Sequence, residues 1–345
     1  MKFALSTEQL DFAAELRKIL DAGQVPAAVR AWSDGDTTPG RALLRQLAEM
    51  GVFGLIVDEQ YDGAEATPVD LVVALIEIGR AALPGPVNES AAVIPALLQR
   101  LPDDNAAREW LPGLASGELL GTVTFDTPQR GIALDADSAE LALLAAGDRV
   151  TARGPGADAA AVQARGDVGP ASVDPARKLS RVAADELIAA GPEVAGAVSY
   201  AFDVGVLACA AQLLGAGRAI LEQTTGYAKQ RKQFGRAIGE FQAVKQQLAD
   251  VLIALDLAEP LLYRAALTLD TEDRARDVSA ALVTCAEAAH RAARAGLQVH
   301  GAIGYTAECD LSLWLTKVTA LRTAWGTADF HRARIAAALR TAEAV

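Results

Sequence analysis

Cysteine is scarce in this chain: three in 345 residues, Cys209, Cys285 and Cys309, widely spaced and in no CxxC pair. So small and odd a set excludes a disulfide framework and a cysteine zinc site, and it fits a reducing cytoplasm. Histidine is as rare, and His290, His300 and His331 lack metal-ligand spacing, so structural or surface roles are expected for them and no metal is expected. No Ser, His and Asp set stands out for nucleophilic catalysis. Basic residues are outnumbered, 32 against 44 acidic, and the net charge of −12 argues against nucleic acid or an anionic membrane as partner for the surface as a whole. A local basic patch can still hold phosphate. Long apolar runs are absent too: MKFALSTEQL has no signal-peptide core, and Val204 to Gly217, interrupted by Gln212, falls short of ~18 residues. A buried helix is expected there. There is no internal repeat, and the alanine richness reflects helix propensity.

What is present is enough apolar material, 51% of residues, for a large domain or for two to three smaller ones sharing a core. The texture divides the chain into 1–117, 118–191 and 192–345. In the first part Ser6 or Thr7 can cap a helix through Leu20, Thr67 with Pro68 can open one to about Ala82, and loops are expected at Ser33–Gly40, Tyr61–Pro68 and Leu83–Asn88. The middle part has short runs such as LLGTVTF and LALLAAGDRVTA between Gly, Asp and Pro clusters, which predict strands. The last part predicts four long helices, Val194–Gln230, Ile238–Thr268, Arg274–Leu297 and Leu311–Ala342, in an antiparallel bundle with small-residue faces and a kink at Pro260. The fold class is mainly α with a β insert.

A dinucleotide-like string, Gly154 to Ala159, formally fits GxGxxA; a loop is the better reading, because Pro155 removes a backbone donor and no clear helix follows. More informative is Tyr227 to Gln242, YAKQRKQFGRAIGEFQ. Arg231 and Lys232 fall in the last turn of a helix that Gly235 ends, where cations complement the dipole. Arg231 offers a fork of donors suited to pyrophosphate, Gln233 can donate further, and Phe234 gives an apolar face for a ring or sugar. Basic residues at a helix C-terminus are common, so these residues alone leave both an anion site and an ordinary helix end open.

Tyr227, Arg231, Gln233, Phe234, Gly235, Ile238, Phe241 and Gln242, followed by Leu248, Ala249 and Asp250, resemble the signature of the acyl-CoA dehydrogenase family. QVHGAIGYTAE, Gln298 to Glu308, is similar to that family's glutamine and double-glycine flavin motif, and Leu43 to Val87 reads like its first helical domain. The resemblance implies an N-terminal helical domain, a reduced middle β domain and a C-terminal four-helix bundle. It implies α,β-dehydrogenation of an acyl-CoA with FAD, electrons leaving through an electron-transfer flavoprotein. Arg231, Gln233, Phe234, Gln298, Gly301 and Ala302 would grip the FAD, with Gln242 and Thr327 as further contacts.

The chain also departs from the family pattern. The carboxylate base that removes the α-proton usually precedes a Gly-Thr pair, here Gly326 and Thr327, and the residue before them is Trp325. The alternative base position falls at Gly205. Asp203 is turned about 200° from that position, Asp329 lies one turn beyond Trp325, and both are expected to be exposed helical carboxylates; Glu308 matches an ordinarily structural position. No catalytic residue is therefore expected here. The family's Thr-Glu-Pro segment appears only as VTFDTP, Val123 to Pro128, its tryptophan strand is missing, and the β insert looks short. These departures, with the segment Lys317 to Leu339, resemble the base-less subunits of heteromeric α2β2 steroid side-chain acyl-CoA dehydrogenases. The resemblance implies a homologous full-length partner that carries the base. Two alternatives stay open: a self-sufficient homotetramer using Asp329 or another displaced carboxylate, and an assembly subunit that binds no flavin.

Overall fold

The computed structural model describes residues 3–125, 131–155, 169–182 and 184–343. The chain packs into two compact units, one of Met1–Arg17, Val72–Ala82 and Cys209–Val345, the other of Lys18–Leu71 and Leu83–Ala208. Helix α1, Thr7–Ala22, opens on a reciprocal cap in which Ser6 N donates to Gln9 Oε1 at 3.0 Å and Gln9 N to Ser6 Oγ at 3.2 Å. Helix α4, Pro68–Arg80, starts as the sequence predicts, with Thr67 N bonded to Asp70 Oδ2 at 2.9 Å.

In the unit of Lys18–Leu71 and Leu83–Ala208, helices α2, Val25–Asp34, and α3, Thr38–Glu49, pack together. The loop expected over Ser33–Gly40 contracts to three residues. Gly35 takes φ 100°, its N–H and that of Asp36 return to Trp32 O and Ala31 O, and this glycine-dependent closure lets α3 begin at once, with Pro39 in its first turn. A buried π-turn, Glu89–Val93, leads into α5, Ile94–Leu98; α6 is Asn105–Ala115. Ser90 Oγ donates to Gly121 O and accepts from Gly121 N, both at 2.9 Å, fastening that turn to the first strand.

The predicted strands are present: β1, Gly121–Thr124; β2, Ile132–Leu134; β3, Leu141–Ala146; β4, Arg149–Arg153; β5, Leu179–Arg181; and β6, Glu186–Ala190. One sheet has the order β1-β3-β4-β6, with β1 and β3 parallel and the other pairs antiparallel; β2 pairs with β5. Asp135, just after β2, is fully buried and ties this region to α2. Its Oδ1 accepts from Trp32 Nε1 at 3.3 Å and from Lys178 N at 3.2 Å, while Oδ2 has no partner. Burial pushes its pKa from 3.8 up to about 7, against the lowering effect of the Trp32 bond and of Arg177.

Helix α7, Pro192–Gln230, contributes residues to both units. It is long and apolar enough to cross a membrane by length and composition, and 89% of its most apolar window is buried inside the protein. In the unit containing Cys209–Val345, it is joined by α8, Gln242–Leu267; α9, Arg274–His300; α10, Leu311–Ala324; and α11, Ala328–Glu343. Helix α9 packs on α8, α10 and α11. Two boundaries differ from expectation. The second helix begins at Gln242 because Ile238–Glu240 forms a 3₁₀ turn and Phe241 is extended, and Pro260 sits inside α8 without interrupting it. The last expected helix is two helices, since Gly326 takes φ 106°, a glycine conformation, and Thr327 Oγ1 caps α11 by accepting from Phe330 N at 3.2 Å.

Helices α4 and α7 meet backbone to backbone. A Cβ on Gly215 would stand 1.9 Å from Ile76 O, and one on Gly79 would stand 2.2 Å from Gln212 O. Beside this crossing the buried Glu77 holds Arg17 through two bonds, 2.9 and 2.7 Å, and lies 3.5 Å from Arg80, which also pairs with Glu222. Trp314 Nε1 donates to Arg80 O at 2.8 Å, tying α10 to the same helix end.

Gly215→Ala is expected to cost about 1–3 kcal/mol or more, since its neighbour is rigid backbone; a urea titration measures this. Asp135 gives a pH test. Its raised pKa means that the stability from its protonated form is fully present below about 3.8 and lost as pH rises through about 7. Asp135→Asn, which keeps the Oδ1 acceptor, is expected to be more stable than the wild type at pH 8 and to lose this part of the pH dependence in urea midpoints taken between pH 5 and pH 8.

Candidate cofactor site

The segment around Arg231 is a miniature hairpin. Strands β7, Lys232–Gln233, and β8, Arg236–Ala237, pair across Phe234 at φ 52° and Gly235 at φ 79°, two left-handed residues that make the tight turn suited to strand twist. Its base is pinned by Arg231 N to Tyr227 O and Ile238 N to Arg231 O, both 2.8 Å. Sequence reasoning took Gly235 as a helix stop. The helix instead stops at Gln230, so Arg231 and Lys232 lie beyond its last turn, Lys232 in the first strand of the hairpin, and Gly235 is the second residue of the turn.

The turn projects Phe234 into solvent, where it is 92% exposed. Phe241 stands behind it, edge to face at 6.2 Å between centroids, with the Arg236 guanidinium 4.2 Å over its other contact surface. Arg231, Gln233 and Gln242 are exposed, Gln242 as the first residue of α8. Arg231 makes no ion pair among the described residues, so its donors remain available to an anion.

The second motif closes α9. Gln298 lies in the last turn, His300 is its final residue, and Gly301, at φ 68° and ψ −150°, turns the chain into a 3₁₀ segment over Gly301–Tyr305. Gln298, Gly301 and Ala302 are all exposed. The two motifs, more than fifty residues apart in sequence, meet where Tyr227 and His300 stack with centroids 4.2 Å apart and planes at 21°. Thr327 is the cap of α11, and among the described residues no bond joins it to this group. The donor set fits FAD chemically: an available guanidinium, side-chain amides, an exposed aromatic face and a turn at glycine.

The base positions are filled otherwise. Trp325 is buried, and its carbonyl accepts from His331 Nε2 at 2.8 Å; His331 Nδ1 lies 3.1 Å from Ser279 Oγ, which accepts from Arg334 at 3.1 Å. A carbonyl can only accept, so His331 carries a proton on Nε2, and Nδ1 shares a hydrogen bond with the Ser279 hydroxyl. This histidine is thus a fully satisfied structural anchor of the helix break, a role that no local spacing announces. Gly205 is buried and has no side chain. Asp329 is 95% exposed and pairs with Arg332 at 3.2 Å, as expected for a surface carboxylate. Asp203 corrects the expectation: it is fully buried, not exposed, because it falls on the inward face of α7. Glu308 is exposed.

Of VTFDTP, Val123 and Thr124 end β1 and Phe125 packs edge-on against Phe202 at 5.8 Å, whereas 126–128 lie outside the described residues. The same holds for 156–159 of the GxGxxA string.

Two family descriptions match the chain: Acyl-CoA dehydrogenase, N-terminal domain, over residues 6–118, and Acyl-CoA dehydrogenase, C-terminal domain, over residues 195–340. Acyl-CoA dehydrogenase IpdE2 of Mycobacterium tuberculosis is 31% identical over 294 residues, 85% of each chain. Among solved structures, the ChsE4-ChsE5 complex from Mycobacterium tuberculosis superposes with a TM-score of 0.82 at 24% identity, covering 99% of both chains. PigA with FAD and proline does so with 0.82 at 19% identity, covering 98% of this chain and 99% of that one. At those identities the structures speak for the fold alone. The two matched domains and the relative at 31% identity place the chain in the acyl-CoA dehydrogenase family.

Proposed function

We propose that this chain is one subunit of a FAD-dependent acyl-CoA dehydrogenase that catalyses α,β-dehydrogenation of an acyl-CoA, lending a cofactor clamp to a homologous full-length subunit that carries the base. The observation that carries this reading is that the Arg231–Phe234 hairpin and the Gln298–Ala302 turn are exposed and joined through the Tyr227–His300 stack, whereas no candidate base position offers an available carboxylate. Arg231, Gln233, Phe234, Gln242, Gln298, Gly301, Ala302 and Thr327 are solvent-exposed in the single chain, and Phe234 at 92% exposure invites a cover. A buried indole occupies position 325, no side chain occupies 205, and Asp329 points to water in an ion pair.

FAD is the cofactor, and when bound it accepts the hydride equivalent from the acyl β-carbon. The work of this chain is to hold it. Arg231 sets its charge on the pyrophosphate, Gln233 and Gln298 donate to polar groups of the same half, and Phe234 covers an apolar face and excludes water. The turn at Gly301 and Ala302 lets the backbone approach closely. Proton abstraction belongs to the partner subunit.

The α2β2 arrangement in this reading rests on the resemblance to base-less subunits; the ChsE4-ChsE5 structure, which shares the fold, is a complex of two named chains. An electron-transfer flavoprotein takes the electrons in this reading, and a bulky steroid-type acyl group rests on the resemblance of Lys317 to Leu339. The division at 117 and 191 belongs to the same proposal, supported by family matches over 6–118 and 195–340. A cytoplasmic location completes it.

Co-expression with a homologous full-length chain tests the subunit assignment. A yellow complex with one flavin per pair of chains, active where neither chain is active alone, is expected; flavin and acyl-CoA turnover by this chain alone would refute it. In that complex Arg231→Ala is expected to weaken FAD binding roughly 10- to 100-fold, the value of a charge-assisted bond. Equilibrium dialysis reads this directly.

A further inference from the structure

Tyr227 occupies an unusual junction. Its backbone carbonyl receives Arg231 N at 2.8 Å, so it forms the floor of the hairpin, while its ring lies flat against His300, centroids 4.2 Å apart and planes at 21°. His300 is itself held from three sides. Its Nδ1 lies 2.9 Å from Gly296 O; because a carbonyl only accepts, Nδ1 carries the proton and the ring plane is set by that bond. Gly304 is buried so close beneath that a Cβ there would stand 3.0 Å from His300 Cβ. Gly301 follows immediately at φ 68° and ψ −150°, which fixes the direction in which the chain leaves. The His300 ring is therefore oriented before Tyr227 stacks on it, and each ring belongs to a different cofactor motif.

We infer that the Tyr227–His300 stack is the positioning element of the clamp: it sets the Arg231–Phe234 hairpin and the Gln298–Ala302 turn in one fixed relation, so that both grip the same nucleotide. The two rings act through their neighbours. No bond to the cofactor is required of either. This inference rests on the reading of the two motifs as a FAD clamp. Stacked aromatic pairs contribute about 0.5–1.5 kcal/mol, which sets the scale of the effect at roughly 2- to 10-fold in affinity.

The test is a double-mutant cycle on the flavin-containing protein as purified, with its co-purified subunit where there is one, read as FAD affinity after flavin removal. Tyr227→Ala and His300→Ala are each expected to weaken FAD binding within that range, and the double variant no more than the stronger single one. Tyr227→Phe, which keeps the ring, retains affinity within about twofold, whereas Tyr227→Leu, which keeps most of the volume without stacking, does not. Thermal midpoints check folding; if the alanine variants do not fold, Tyr227→Leu and His300→Gln carry the same cycle. Additive effects, or full affinity in Tyr227→Leu, overturn the inference while leaving the clamp intact provided that Arg231→Ala still weakens binding. If Arg231→Ala binds FAD as the wild type does, or the wild type retains no FAD, the clamp reading fails and the inference with it.

Discussion

The bundle is built on the crossing of α4 and α7, where two peptide backbones come within contact distance because Gly79 and Gly215 have no side chains. Any Cβ at either position meets a rigid carbonyl, so this contact admits a single register of α7 past α4. Around it gather groups that would otherwise be costly to bury: Glu77, matched by Arg17 and Arg80, and the Arg80 carbonyl, matched by Trp314. Further along α7, Gly217 lies against Ala289 of α9, again close enough that a Cβ would press on the neighbouring helix. The placing of Tyr227 beside His300 follows from these contacts, because both rings stand at the ends of helices whose mutual register small residues have set.

Much of this was legible. Helix starts, at Ser6 with its reciprocal partner Gln9 and at Thr67 with Asp70, carry their own signal within four residues, and the strands of the β insert follow from turn residues between short apolar runs. The motif residues were legible as types and spacing. What escaped was non-local. The break at Gly326 depends on a conformation that a glycine permits but does not require, and on a histidine held by Ser279, fifty-two residues away in sequence. The burial of Asp203 depends on which face of α7 turns inward, and a helix apolar over most of its surface gives no moment from which to read that. The hairpin at Phe234 needed a non-glycine residue in a left-handed conformation, which sequence patterns disfavour.

The site shows an uneven distribution of order. Its polar donors stand in water on a preformed turn, and its one large aromatic projects from the surface, so little of the chain has to be ordered when something is bound. The candidate base position is the opposite: a buried indole whose carbonyl is taken by His331, which is bonded in turn to a serine that accepts from Arg334.

The burial of Trp325 limits what can replace it. Because the indole is part of the core, a carboxylate in its place would leave a hole and an unmatched buried charge together. Several neighbours would have to change together. A single substitution at this position therefore introduces a carboxylate only at the expense of the packing that holds the break between α10 and α11.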